Sequence, residues 1–501
     1  MAKRSTTIPY SFVSLNGANG APLYRQLYDE LRTAILSGQL RAGTRLPSTR
    51  ELAADLRVSR NTVLNAFEQL LAEGYVEGQV GSGTYVSRSL PDELLHARTL
   101  DARTTRTPRA GRTLARRATS YTHARVNVSR DPQGTRPFRP GTPALDAFPC
   151  TLWARLLARR WRRPSADLLG YTEPAGYLPL REAVAGYLGA ARAVRCEAAQ
   201  VIVVAGSQQA LDLVARLLID EGDAVWLEEP GYLGARAAFK SAGARVVPVP
   251  VTAEGLNVQA GAESTPEARL VYITPSHQYP MGVTMTLGRR LALLEWANRA
   301  GAWVLEDDYD SEYRYVGRPL AALQGLDAEG RVIYLGTFSK VLFPALRLGY
   351  MVVPPDMVEV FTNARGLASR FSPTIEQAVL ADFINEGHFA RHIRRMRALY
   401  AERQAILLDA AARELRGLLE LQPDAAGIHL VGRLPAGVDD VAASRAAAAH
   451  GLDVQPLSSF HLKRGGHGGL LLGYAGFNER QIRAGVRQLA VALRSVMRDK
   501  S

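Results

Sequence analysis

Between residues 89 and 137 the chain loses every sustained apolar period and becomes a stretch rich in Arg, Thr and Ala. A connection of that length is uncommon inside a compact domain, so the sequence divides there. A short tail (1–21) precedes a first domain (22–88), the stretch 89–137 is an interdomain linker, and residues 138–501 form the larger remainder. Residues 89–140 hold eleven Arg against four acidic residues, a large part of the formal net charge of +13. That excess reads equally well as a solvated spacer and as an electrostatic contribution to binding a polyanion. A length of 501 residues with 47% hydrophobic and 22% charged residues fits two to four globular domains. No run approaches the ~20 apolar residues that a membrane span needs. Residues 1–7 lead into no apolar segment, and two cysteines at unrelated positions give neither a disulfide framework nor metal-ligand spacing. Secreted, membrane-spanning and zinc-finger classes are excluded, no metal is expected, and a cytoplasmic location is.

Residues 22–88 carry helical periodicity followed by a Gly-rich hairpin. Leu23, Leu27, Leu31 and Ile35 form one stripe that Gly38 should end. Ser48 and Glu51 have capping-box spacing at the head of a second helix. A third begins at Ser59, with Val63, Ala66, Phe67, Leu70 and Leu71 expected on its buried face. Two short helices joined by a tight turn make a helix-turn-helix, whose second helix can enter the major groove of DNA. Arg60, Asn61, Thr62 and Asn65 are placed to donate to base edges and phosphates. Tyr75 to Val86 reads as a β hairpin whose glycines, Gly83 among them, allow close approach to a sugar-phosphate backbone.

Residues 138–501 alternate β-branched runs with Ala/Leu-rich helical stretches, the pattern of a mostly parallel α/β sheet. The runs start at Val201, Ala224, Arg245, Leu270 and Trp303, and Val332-Ile-Tyr-Leu forms another. Chemistry that needs a primary amine has few candidates, because only five residues are Lys. Lys340 follows the last of these strands in Gly336-Thr-Phe-Ser-Lys-Val-Leu-Phe. An apolar setting there would increase its free-amine fraction. Thr337 and Ser339 offer hydroxyls, and Arg347 a guanidinium suited to phosphate. Ser207 and Gln208 open a helix after a strand, which makes a phosphate seat. Tyr232, in Glu-Pro-Gly-Tyr, is an aromatic able to stack on a flat ring. His277 lies in the polar turn Pro275–Gly282. Asp307 and Tyr309 share one face by the period of two. A carboxylate there could hold a pyridine nitrogen protonated, and a phenol could reach a ring hydroxyl.

Taken together, Leu46-Pro-Ser-Thr-Arg-Glu-Leu, Ser59-Arg-Asn-Thr-Val and Leu70-Leu-Ala-Glu-Gly-Tyr closely resemble the winged-helix reader of the GntR family of bacterial regulators. The resemblance implies Arg50 and Arg60 as the main DNA contacts, with Ser59, Asn61, Thr62 and Gly83 supporting. The order of motifs in 138–501 resembles the fold-type-I aminotransferase domain that binds pyridoxal 5′-phosphate (PLP). That resemblance implies Lys340 as the Schiff-base lysine, Asp307 as partner of the pyridine nitrogen, Tyr309 at the ring hydroxyl and Tyr232 stacked. His277 would also lie at the cofactor, and Ser207, Gln208, Thr337, Ser339 and Arg347 would hold the phosphate. Tyr171, in Leu169-Gly-Tyr-Thr-Glu-Pro-Ala-Gly, would reach the neighbouring subunit's cofactor, which implies a homodimer.

One departure matters. Where aminotransferases place an Arg for the substrate carboxylate, this chain has Leu471, and no Arg lies between 465 and 479. Ordinary amino-acid transamination is disfavoured. The fused architecture is similar to the MocR subfamily of GntR regulators, built as head-to-tail dimers. It implies a PLP-binding transcriptional regulator of double-stranded DNA whose larger domain senses PLP or a PLP adduct with an amine or amino acid. The alternative is a working aminotransferase with a vestigial reader.

Overall fold

The computed structural model describes residues 13–15, 21–79, 82–90, 118, 136–317, 320–463 and 468–498. Most of the expected tail and linker lies outside the described residues. The chain divides into two compact units between Thr113 and Leu114, inside the stretch 89–137.

In the first unit, α1 (Leu23–Leu36), α2 (Thr49–Leu56) and α3 (Arg60–Ala72) precede a hairpin of β1 (Val76–Gln79) and β2 (Gly83–Val86). The punctuation read from sequence is the punctuation observed. Gly38 follows α1 at φ 75°, the Ser48–Glu51 capping box is complete, and Ser59 caps α3 by accepting from the Thr62 N–H. Leu27, Leu31, Ile35, Leu52, Val63, Phe67 and Leu70 form the core. Leu71 is instead 50% exposed. It sits about 100° around the helix from Leu70, and the helix has one buried stripe. Arg57 closes α2 in the left-handed region, which makes the turn into α3 tight.

The second unit is built on an eight-stranded sheet of β3 (Val201–Val204), β4 (Ala224–Glu229), β5 (Arg245–Thr252), β6 (Gly255–Leu256), β7 (Leu270–Ile273), β8 (Trp303–Asp308), β9 (Val332–Thr337) and β10 (Gly349–Val352). Its order is β3-β10-β9-β8-β7-β4-β5-β6. The central strands β9, β8, β7, β4 and β5 are parallel, while β10 runs antiparallel between β3 and β9. Helices between strands cover the faces, so runs such as Val201-Ile-Val-Val are buried along their whole length. A smaller antiparallel sheet of β11 (Glu420–Leu421), β12 (His429–Arg433), β13 (Gln455–Pro456) and β14 (Gly469–Gly473) packs with the helices His388–Glu414, Asp440–Ala449 and Glu479–Arg498 around a second core. The ends of β4, β7, β8 and β9 lie side by side, and Asp307 pairs with Leu335 and Asp308 with Gly336. In open α/β sheets ligands bind outside such carboxyl ends.

Candidate functional site

A cavity of about 280 Å³ opens at those strand ends. Ser207, Gln208, Tyr232, Asp307, Tyr309, Thr337, Ser339, Lys340 and Arg347 all line it. Residues separated by more than a hundred positions meet there because adjacent parallel strands end in register. Lys340 follows β9 directly. Its Nζ donates to the Gly141 carbonyl at 2.9 Å. Burial lowers its pKa, opposed by the charges of Asp310 and Asp307, so the amine is more easily deprotonated than a solvated lysine. Gly141 sits at φ 73°, a backbone region that favours glycine, and a Cβ there would lie 2.5 Å from Nζ and displace the amine.

Asp307, the penultimate residue of β8, faces the cavity. The Tyr272 hydroxyl donates to Oδ2 at 2.8 Å, and the buried Oδ1 has no hydrogen-bond partner. Burial pushes this carboxyl up to about 7, against the Tyr272 hydrogen bond. A cation beside Oδ1 would restore the carboxylate. Its neighbour Asp308 points to the opposite face, where it pairs with the buried Arg192 at 2.8 Å. At the other end of the cavity Gly206, at φ 127°, opens the helix Ser207–Leu218. A Cβ on Gly206 would stand 3.5 Å from the Arg347 guanidinium. Helix N–H groups, the hydroxyls of Ser207, Thr337 and Ser339, and one arginine thus converge on a seat for a phosphate-sized anion.

Two expected residues lie elsewhere. His277 does not line the cavity. It is buried behind Tyr309, with Nδ1 2.9 Å from the Tyr309 hydroxyl, because its turn folds under the phenol rather than over the cavity. Tyr171 is 93% exposed and touches only the edge of Phe371 among aromatic rings.

Tyr272, Tyr279, Thr274, Gly141, Ile428 and His429 also line the cavity and were not singled out from sequence. Tyr279 lies in the same turn as His277, and its ring meets those of Tyr232, Tyr309 and His429 edge-on. His429 comes from β12. Its Nε2 is 3.0 Å from the Pro280 carbonyl, and burial drives its pKa down to about 3, which keeps it neutral. Glu228 accepts from the Thr274 hydroxyl at 2.6 Å and from Gln278, and so ties the turn after β7 to the end of β4. Leu471 is fully buried on β14, packed among Leu457, Phe460, Tyr279 and Met281. Leu471 itself does not line the cavity, and among the described residues Arg347 is the one arginine that does.

In the first unit Arg50, Arg60, Asn61 and Asn65 are exposed on α2 and α3. Arg60 Nε reaches the Thr49 hydroxyl at 3.5 Å. The Ser59 and Thr62 side chains bond each other at 2.8 Å, so both are engaged in the cap. Gly83, at φ 115°, leaves room for the Arg45 side chain, which a Cβ would meet at 3.0 Å. Arg45 is therefore a further basic group held against the wing.

The two units define a protein that joins a winged helix-turn-helix to an aminotransferase fold. Residues 23–86 match the family described as bacterial regulatory proteins, gntR family, and residues 144–489 match aminotransferase class I and II. The chain is 45% identical over 94% of both chains to a probable rhizopine catabolism regulatory protein, MocR, of Rhizobium meliloti. It is 31% identical, over 94% of this chain and 96% of the other, to the pyridoxine biosynthesis transcriptional regulator PdxR of Corynebacterium glutamicum. The solved structure of the α-aminoadipate aminotransferase LysN of Thermus thermophilus, complexed with N-(5′-phosphopyridoxyl)-L-leucine, shares 32% identity and a TM-score of 0.70, covering 76% of this chain and 97% of that one. The chain belongs to the MocR-type transcriptional regulators of the GntR family. Among the described residues no helix is long and apolar enough to cross a membrane.

Proposed function

We propose that this regulator binds PLP in the cavity at the ends of β7, β8 and β9, and that the loaded cavity sets how its reader engages an operator. The observation that carries the reading is the pairing, in one cavity, of a half-buried lysine with a buried aspartate whose Oδ1 has no partner. PLP supplies an aldehyde that a free amine can capture and a pyridine nitrogen that a carboxylate can hold protonated. Lys340 is the attachment point, Asp307 the partner of the ring nitrogen, Tyr232 the stacking face and Tyr309 the donor to the ring oxygen. Ser207, Gln208, Thr337, Ser339 and Arg347 hold the phosphate. Arg50, Arg60 and Asn61 contact DNA, with Gly83 admitting the backbone to the wing.

Residues 22–88 are the reader, 89–137 the linker and 138–501 the ligand-binding and dimerisation domain. In a cytoplasmic homodimer, the exposed Tyr171 completes the partner's cavity. Leu471 in place of a carboxylate-binding arginine favours sensing over catalysis, with PLP itself or its adduct with an amine as the signal. The two relatives' names attach this architecture to the regulation of rhizopine catabolism and of pyridoxine biosynthesis. Borohydride reduction of the PLP-treated protein, followed by peptide mass mapping, should label Lys340. An unlabelled Lys340 overturns the cofactor assignment. Rapid turnover of amino donors with a keto-acid acceptor would favour the enzymatic alternative.

A further inference from the structure

His277 is enclosed on every side. Asp310 Oδ2 lies 3.0 Å from its Nδ1, and Asp424 Oδ2 lies 3.3 Å from its Nε2. The Tyr309 hydroxyl shares Nδ1 at 2.9 Å. The neutral ring of His429 stands 5.4 Å away on β12. Gly427 and Gly282 close the cage, since a Cβ on either would come within 2.1 Å or 3.2 Å of the imidazole. Burial disfavours a charge on this ring, but the two carboxylates outweigh it and raise its pKa to about 10. Asp424 is lowered despite its own burial, through the same contact, while burial raises Asp310.

The charge state has a geometric consequence. An imidazolium has two N–H donors and no acceptor. Toward Nδ1 the Tyr309 oxygen can then only accept, so the imidazole does not take up the phenol proton. A neutral imidazole with a bare Nδ1 would take that proton instead. We propose that His277 is a positioning residue: held as a cation between Asp310 and Asp424, it fixes Tyr309 as a hydrogen-bond donor toward the oxygen of whatever ring occupies the cavity. This inference rests on the PLP reading for its ligand, but the charge on His277 belongs to the empty protein. A phenol fixed as donor stabilises an anionic ring oxygen. The pH at which the loaded protein's visible band changes should therefore fall, relative to a protein whose phenol is free to turn.

The test uses the full chain. Loaded wild type, His277→Phe, Tyr309→Phe and the double variant are titrated by absorbance. His277→Phe should move the midpoint up by about one unit, a tenfold change, and the shift should vanish in the Tyr309→Phe background. An unmoved midpoint, or an equal shift in both backgrounds, overturns the proposal. His277→Asn, whose amide can donate in place of Nδ1, should restore most of the wild-type midpoint; failure to do so counts against the proposal. Should the Phe variant not fold, histidine-labelled apo wild type, with His277 assigned through His277→Asn, gives the answer by NMR. A cationic His277 at pH 8 supports the proposal, and a neutral one sinks it. A wild type that binds no PLP would refute the cofactor reading, and the NMR result would still stand on its own.

Discussion

On the proposed reading Lys340 and Asp307 carry the chemistry, and for each the largest influence on its pKa is burial rather than a neighbouring charge. Lys340→Ala should abolish the visible band of the PLP-treated protein, checked by absorbance, with thermal stability of the empty chain little changed. Asp307→Ala should weaken PLP retention by at least tenfold in equilibrium dialysis, because a buried ring nitrogen would lose its only counter-charge. A residual affinity equal to wild type would contradict the assigned role. His392 gives a pH prediction. Burial lowers its pKa to about 4, so between pH 6.5 and 4 the unfolded chain binds a proton that the folded chain refuses. Its contribution to stability should fall as the pH falls through that window. His392→Gln should show a shallower loss of stability there than wild type, measured by denaturant titration at several pH values.

At the scale of elements, the sequence was most legible where the physics is local. The caps of α2 and α3 and the stripe of α1 follow from side chains within four positions of one another. The strands β3, β4, β7, β8 and β9 announce themselves as apolar runs because both faces are covered, while the half-exposed β5 shows through its valines. The antiparallel insertion of β10 between β3 and β9 did not show, since nothing in Gly349-Tyr-Met-Val states its neighbours. The same limit explains the site. Nine of its residues sit in motifs at strand ends, where the fold resemblance places them. His429 and Gly141 arrive from distant segments without a local signature, and His277 was chosen from its turn when Tyr279 is the residue that reaches the cavity. The reader offers a direct check of an element. Ser48→Ala removes one half of the capping box and should cost about 1 kcal/mol of reader stability, read by chemical denaturation, while leaving PLP binding untouched.

For the whole molecule, the reader itself is almost neutral, with eight Arg against seven acidic residues across 22–88. On the proposed reading, operator affinity would rest on a few placed groups such as Arg50 and Arg60, on pairing of readers in a dimer, and on the arginines of residues 89–137. Coupling between cavity and reader is a difference in affinity of two states for the ligand, on the order of 5–150-fold in typical systems. The decisive measurement is fluorescence anisotropy of the full-length protein on its own labelled upstream DNA, with and without PLP, for wild type and Lys340→Ala. PLP should change the wild-type affinity by a factor within that range and leave Lys340→Ala unaffected. A wild-type curve that ignores PLP, or a Lys340→Ala curve that shifts as far as wild type, would contradict a sensor built on Lys340.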